Sequence, residues 1–415
     1  MSAWGALIGL IISIVLIARK FSPVYSLILG ALVGGLIGGF SLSATVSIMI
    51  DGVKDVTPAI LRILTAGVLS GVLVKTGAAA SISNIITQKL GERHVFMALA
   101  LATMLLTAIG VFIDVAVITV APIALSLGQR FAIPKSTLLL VMIGGGKSGN
   151  IISPNPNTII AAENFQADLS SVMFTNLVPA LIGLLFTVYI IVRFMPKKGE
   201  LVTETEVGCV QESLPSFTAS IVAPIVTILL LSLRPLLGVV IDPLIALPVG
   251  GLTGILAMGK WRTLKESLNY GLEKMSFVVI LLIGTGAIAG IIKASSIKDI
   301  LLDALARTSF GEVLIAPLSG ALMSAATAST TAGATIASSS FTETILAAGI
   351  SAVWGAAMIN AGATVLDHLP HGSFFHATGG VTHVGISNRL KLIPYETIIG
   401  LVLTICSVAA YLLTR

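Results

Sequence analysis

Glycine and proline recur along this chain at a fixed distance. Gly52, Gly67 and Gly71 return as Gly271, Gly286 and Gly290, each 219 residues later, and Pro23, Gly30 and Gly34 return as Pro243, Gly250 and Gly254, each 220 later. Six matched positions with a single one-residue shift mark an internal duplication, the construction of many transporters. The two copies run over residues 1–195 and 215–415, joined by a polar segment, 196–214, that carries Lys197, Lys198, Glu200, Glu204 and Glu206.

What surrounds that linker excludes a soluble protein. Of the 415 residues, 55% are hydrophobic and 10% charged, and the mean hydropathy is +1.03. At about 20 apolar residues per crossing, the chain holds roughly ten to twelve spans and no separate water-soluble domain. The period-two alternation of an outer-membrane barrel is missing. Forty-one glycines and sixteen prolines suit membrane helices that approach closely or break. Residues 3–18 are apolar and are followed, not preceded, by Arg19 and Lys20, so they read as a first spanning helix and not as a cleavable leader. Cys209 lies in the linker and Cys406 in the last apolar run, which argues against a disulfide.

The formal charge of +5 falls mostly in loops, where it sets orientation, and implies no nucleic-acid partner. In the first copy Lys and Arg follow the first helix (Arg19, Lys20) and the third (Lys75, Lys89, Arg93). In the second copy the richer cluster, Lys260, Arg262, Lys265 and Lys274, follows the second helix. The copies are therefore expected to be inverted, each with an odd number of crossings. Arg193, Lys197, Lys198, Arg389 and Lys391 then lie inside, Glu163 and Asp168 outside, and both termini are external. The expected fold is an all-α polytopic membrane protein of two inverted-topology repeats with broken helices and helical hairpins. Each repeat holds two spanning helices, an amphipathic stretch, a third spanning helix, a short interfacial helix, two apolar arms, a broken segment and a last long helix.

Two segments oppose a continuous helix. One runs from Gly144 to Thr158, with four glycines and two prolines, and the other from Asn360 to Ser373. Irregular backbone at membrane depth persists only where protein or a cavity surrounds it, and a broken helix offers N–H groups to an anion and carbonyls to a cation. The paired arms meet at polar tips, Phe112 to Asp114 and Ala328 to Gly333. The charge pattern leaves open whether the arms re-enter or cross fully.

The stretch Gly149 to Thr158 with Ala161, Ala162 and Glu163, and the stretch Gly362 to His376, resemble the gluconate permease family of the ion-transporter superfamily. With the two-copy plan the resemblance covers essentially the whole length. It implies import of sugar acids and related hydroxy-acids, and in one relative of D-serine.

Candidate substrate-binding residues are Lys147, Ser148 and Asn150, Ser153, Asn155, Asn157 and Thr158 in the first break, Ser329, Thr330 and Thr331 at the second tip, and Asn360 and Thr364 in the second break. The Lys147 ammonium suits a carboxylate; alternatively it pairs with a protein acid such as Asp114 or Glu163. Hydroxyls and amides suit a polyol chain, with helix capping as the structural alternative. A phosphate loop is excluded, because its pattern needs glycine where Val141 stands.

Candidate proton-coupling residues are Asp114, Asp367, His368 and His371, since ionisable groups at membrane depth are costly and functional by default. A salt bridge to Lys147 is the structural alternative for Asp114. A metal site on Asp367, His368 and His371 is the rival, weak for want of a fourth ligand. The expected function is secondary active import of a small hydroxylated carboxylate, gluconate or glycerate, by proton symport across the cell inner membrane. The rivals are a sodium-coupled carrier and a membrane metalloenzyme. A channel is disfavoured, since the breaks carry varied polar groups and not a repeated ring. No cofactor or structural metal is expected. The partners are the carboxylate, the proton or sodium and the lipid bilayer; a second copy of the chain is admitted but not required.

Overall fold

The computed structural model describes residues 3–19, 21–90, 94–195, 199–206, 214–237, 239, 241–296, 311–370 and 372–414, and among these the regular structure is all helix. In the first copy α1 (Ala3–Ala18) and α2 (Pro23–Ile37) pack as an antiparallel pair through Gly5, Gly9, Gly30 and Gly34. Their mates α12 (Val222–Leu237) and α13 (Pro243–Ala257) use Gly250 and Gly254, at the same repeat positions, against Ala223 and Thr227. Pro23 and Pro243 both sit at a helix start, where the missing N–H is no loss. Gly39 and Gly259, 220 residues apart, both turn the chain after the second helix with positive φ (97° and 64°).

The repeated glycines form the seam between the copies. α3 (Leu42–Asp55) and α4 (Thr57–Lys75) run antiparallel to α14 (Leu264–Lys293): Gly52 lies against Gly286 and Gly290, Gly67 against Gly271, and Gly71 against Ser267 and Gly271. A Cβ on Gly67 would stand 2.8 Å from the Gly271 carbonyl oxygen. The contact of Gly52 with Gly286 is the contact of Gly271 with Gly67 seen from the other copy, so the seam is isologous. Equivalent helices that pack antiparallel are related by a two-fold axis perpendicular to them, and such an axis turns one copy upside down relative to the other.

Among the described residues the copies differ in how the middle of the repeat is built. The expected amphipathic stretch and third span are separate helices in the first copy but one thirty-residue helix, α14, in the second. Pro58 interrupts α3 and α4 where the repeat places Phe277, and proline cannot supply the N–H a continuous helix needs there. The interfacial helix of the first copy is α5 (Ala78–Leu90); its counterpart falls at 297–310, outside the described residues.

The arms are α6 (Val95–Ala108) and α7 (Ile113–Arg130), and α15 (Gly311–Thr327) and α16 (Thr330–Ala347). The first broken segment is α8 (Lys135–Asn150) and α9 (Pro156–Asn164), and the second is α17 (Ala352–Gly362) and α18 (Ser373–Val381). The copies close with α10 (Leu169–Thr175) and α11 (Leu177–Phe186), extended by a π turn at Thr187–Ile191, and with α19 (Ile386–Leu390) and α20 (Ile393–Thr414). Among the described residues five segments are long and apolar enough to cross a membrane: Thr57–Lys75, Ile113–Arg130, Leu169–Phe194, Trp261–Lys293 and Ile386–Thr414.

α6 has 14 residues, about 21 Å, too short for a hydrocarbon core of about 30 Å. It lies parallel to α8, with Gly145 on Ala100 and Gly149 on Met104, and Gly110 in its tip reaches Pro154 in the first break. The second tip likewise touches the second break, Ala328 against Gly372. Both tips therefore touch the breaks of their own copies.

One expectation is corrected here. Residues 144–150 do not break the helix but end it, and the irregular backbone is 151–155. In a buried helix the glycines serve close approach, Gly144 to Thr187, Gly145 to Ala100 and Gly146 to Ile113, a use that outweighs their low helix propensity.

Candidate functional site

The breaks of both copies, with the second tip, meet in two hydrogen-bonded groups. The first is built of amides and one hydroxyl. Asn155 caps α9, its Oδ1 accepting from the Thr158 N–H at 3.2 Å and from Thr158 Oγ1 at 3.1 Å, while its Nδ2 donates to Asn150. Asn360, from α17 of the other copy, donates to Thr158 Oγ1 at 2.9 Å and to the Ile151 carbonyl at 3.4 Å, and accepts from Asn157 Nδ2 at 2.6 Å. None of these side chains is exposed beyond 4%. Ser153 lies in the same break, fully buried, and its hydroxyl has no hydrogen-bond partner. Buried polar groups are nearly always satisfied, so this hydroxyl is an exception within the break.

The second group is charged. Lys147, fully buried near the end of α8, meets neither Asp114 nor Glu163. Its Nζ donates to Asp367 Oδ1 at 2.6 Å, to the Thr364 carbonyl, and to His368 Nδ1 at 3.0 Å. Asp367 Oδ2 accepts from Thr330 Oγ1 at 2.6 Å, which joins the second tip to the group. His368 Nε2 stands 3.1 Å from the Ile393 carbonyl and 3.1 Å from Thr397 Oγ1. A carbonyl only accepts, so Nε2 carries a ring proton, while Nδ1 faces both the ammonium and Asp367 Oδ1, the latter at 3.2 Å. All three Lys147 protons are thus engaged, and Asp367 is the anion that balances the charge.

Other expected residues stand apart. Ser148 bonds back to the Gly144 carbonyl at 2.9 Å, Ser329 caps α16 at the Ala332 N–H, and the carbonyl of half-buried Thr331 accepts from Thr335 Oγ1 at 2.6 Å. Asp114 accepts from the Val115 N–H in the first turn of α7, where the helix dipole favours an anion. Thr364 contributes its carbonyl, and its hydroxyl turns to Ala361 at 2.7 Å. His371 lies outside the described residues. Among the described residues no group of three or more His, Cys, Asp and Glu could hold a metal ion.

Two ion-paired arginines are absent from the expectations drawn on sequence. Arg389, expected as a loop cation, is 1% exposed and forms a two-pronged pair with Glu396, its guanidinium 4.8 Å from the Phe375 ring centre. The Glu396 carbonyl lies 3.4 Å from Lys147 Nζ, so this pair buttresses the charged group. Arg62 of α4 pairs with Glu163 at the end of α9 and, at 2.7 Å, with Asp242, the cap of α13 in the other copy. Arg62 beside Asp242 holds that carboxyl below its ordinary range. Glu396 is the sole acid in residues 393–414 and Arg62 the sole base in residues 55–74. An isolated charge in an apolar run needs a partner, and that signal was available.

Residues 199–206, the start of α8, the end of α4, α5 and the start of α14 share one face, here the linker face, marked by bonds of Lys135 to Glu206 at 2.6 Å, Lys260 to the Thr76 carbonyl at 2.7 Å and Ser81 to the Pro215 carbonyl at 2.7 Å. Arg62, Glu163 and Asp242 lie toward the opposite, far face.

A family model described as GntP family permease matches residues 1–414. A Haemophilus influenzae protein named an uncharacterized transporter is 56% identical over 407 residues, 98% of this chain and 97% of its own length. An Escherichia coli protein named inner membrane permease YgbN is 26% identical over 173 residues, 40% of this chain and 37% of its own. In fold, the chain is similar to the Alcanivorax borkumensis YdaH transporter, with a TM-score of 0.63 over 89% of this chain and 88% of that one, at 15% identity.

Proposed function

Because the chain belongs to the GntP permease family, we propose that this membrane transporter imports a small hydroxylated carboxylate, gluconate or glycerate, by proton symport across the cell inner membrane. The linker face is cytoplasmic in this reading, following the Lys and Arg of residues 260–274 and of the linker. Residues 1–195 and 215–415 act as the two inverted repeats, and movement of one bundle against the other exposes the breaks to each side in turn.

The observation that carries the reading is the fully buried pair of Lys147 and Asp367 where the two breaks meet. An ammonium at that depth cannot be left without an anion, because an unpaired buried charge costs several kcal/mol, roughly 3–5 by measured pair disruptions. Two states satisfy this. In the empty carrier Asp367 is ionised and pairs with Lys147. In the loaded carrier Asp367 takes a proton and the substrate carboxylate replaces it on Lys147. Substrate without proton puts two anions on one cation, and proton without substrate strands the cation, so the two bind together or leave together. His368, bonded to Asp367 on one side and to Thr397 and the Ile393 carbonyl on the other, is placed to pass the proton. The amide group and the Ser153 hydroxyl take the hydroxyls of the substrate.

The test is accumulation of labelled gluconate in proteoliposomes under an imposed pH gradient, with sodium absent and then present. Uptake above equilibrium driven by pH alone is the expected result. Uptake that follows sodium and ignores pH would overturn proton symport, and no saturable uptake of any sugar acid would overturn the substrate class.

A further inference from the structure

The two copies share one plan but not one conformation. On the far face α9, the second half of the first break, lies against α4, and the arm α16 lies against α14. On the linker face the counterparts make no comparable contact among the described residues: α18 does not pack on α14 in this way, nor α7 on α4. Breaks and arms are thus drawn onto the seam helices at the far face alone. Exchanging the conformations of the two copies gives the opposite state, which is the logic of an inverted repeat.

One charged contact marks the drawn-in side. Glu163, near the end of α9, pairs with Arg62 of α4. Asp242 holds Arg62 from behind, accepting from its Nε at 3.0 Å and from its Nη2 at 2.7 Å. Asp242 caps α13, so the cation and the acid that orients it both stand on the seam side, and Glu163 belongs to the break. The side chains of Arg62 and Glu163 are 24% and 26% exposed. Water reaches the pair, so parting it strands neither charge in a dry core.

The internal two-fold supplies a control. Arg62 corresponds to Leu281 by the 219-residue step and Asp242 to Ser22 by the 220-residue step. Glu163 corresponds to Gly380 by a step of 217, the one that relates the helix starts Pro156 and Ser373, and also Gln166 and His383, which both turn the chain at φ 51°. The plan of the fold is therefore met without these three charges. Gly380 is exposed, and a Cβ built on it would meet no described residue within 4 Å. The same position on the far face is held by Arg62.

We propose that Arg62 is the latch of the far face: its pair with Glu163 holds α9 on the seam helices in the conformation described here and parts each time the far face opens. The inference rests on the alternating movement proposed above, and on neither the solute nor the coupling ion. The reporter is a cysteine at Gly380, exposed here and covered by α14 once the copies exchange conformations. It is placed in the full chain with Cys209 and Cys406 replaced by serine, reconstituted in nanodiscs and pulsed with a membrane-impermeant maleimide. Arg62→Gln and Glu163→Gln should each lower the ratio of exposed to covered reporter about fivefold, the worth of one partly screened ion pair. Asp242→Asn leaves Arg62 and Glu163 to pair and should shift the ratio less than either. Should Arg62→Gln fail to fold, Glu163→Gln carries the test by itself. Labelling at the parent level in the glutamine variants overturns the latch. If gluconate still changes the labelling of the parent, the latch alone falls; labelling that neither the variants nor gluconate change overturns the transport reading for gluconate and the latch together.

Discussion

Lys147 Nζ stands 2.6 Å from Asp367 Oδ1, although 220 residues separate them and each belongs to a different copy. The pair ties the first break to the second and, through Thr330, to the second tip. Removing one partner leaves the other charge buried and alone. Lys147→Met should therefore lower stability in detergent by about 3–5 kcal/mol, and the double variant Lys147→Met with Asp367→Asn should recover most of that loss. Thermal unfolding of the single and double variants measures it; equal loss in both would show that the pair is not the cause.

Asp367→Asn by itself keeps a hydrogen-bonding side chain for Thr330 and Lys147 but no longer takes up or releases a proton. Accumulation driven by a pH gradient should disappear, while counterflow of labelled gluconate, which needs only exchange, persists. The assay is proteoliposome uptake beside counterflow on the same preparation. Accumulation at wild-type level would move the coupling group elsewhere.

At the seam of the copies, Gly67→Val would drive a side chain into the Gly271 carbonyl, whose oxygen lies 2.8 Å from where the new Cβ must stand, and Gly52→Val would meet Gly286 in the same way. Each should cost about 1–3 kcal/mol from overpacking. Gly39→Ala meets nothing within 4 Å and should cost about 1 kcal/mol, since only its positive φ of 97° is strained. Comparing the melting temperatures of the three variants tests the ranking, and a Gly39 variant worse than a seam variant contradicts it.

The linker segment supplies a pH dependence outside the membrane helices. Glu206 accepts from Lys135 at 2.6 Å and from the Thr203 N–H at 2.9 Å, and these bonds hold its carboxyl down at about 2 from an ordinary 4.5. A carboxyl whose pKa falls on docking favours the docked state when ionised. Its contribution is full above 4.5 and is lost as pH falls toward about 2. Protease protection of residues 199–206 should thus be constant from pH 8 to pH 5 and fall only in that acid window. Lys135→Met should bring the transition back toward 4.5. Release on raising the pH would contradict the sign.

The sequence by itself determined the architecture. Membrane residence follows from apolar runs too long for a water-facing surface. The inverted duplication follows from glycines and prolines that recur because backbone approach tolerates no Cβ and helix starts tolerate a missing N–H. The polar breaks were equally legible, since buried irregular backbone demands polar and Gly/Pro-rich sequence. What only the tertiary structure decided is partnership. Lys147 had several acids within plausible reach, and the crossing of the copies selected Asp367. The glycines around it proved to be contact points inside a helix, because propensity is local while packing against Ala100 and Met104 is not. Arg389 looked like a loop cation until the fold carried it onto Glu396. The contact of each tip with a break likewise needed the fold, for an 18-residue apolar helix carries no mark in its own sequence of what its end will touch.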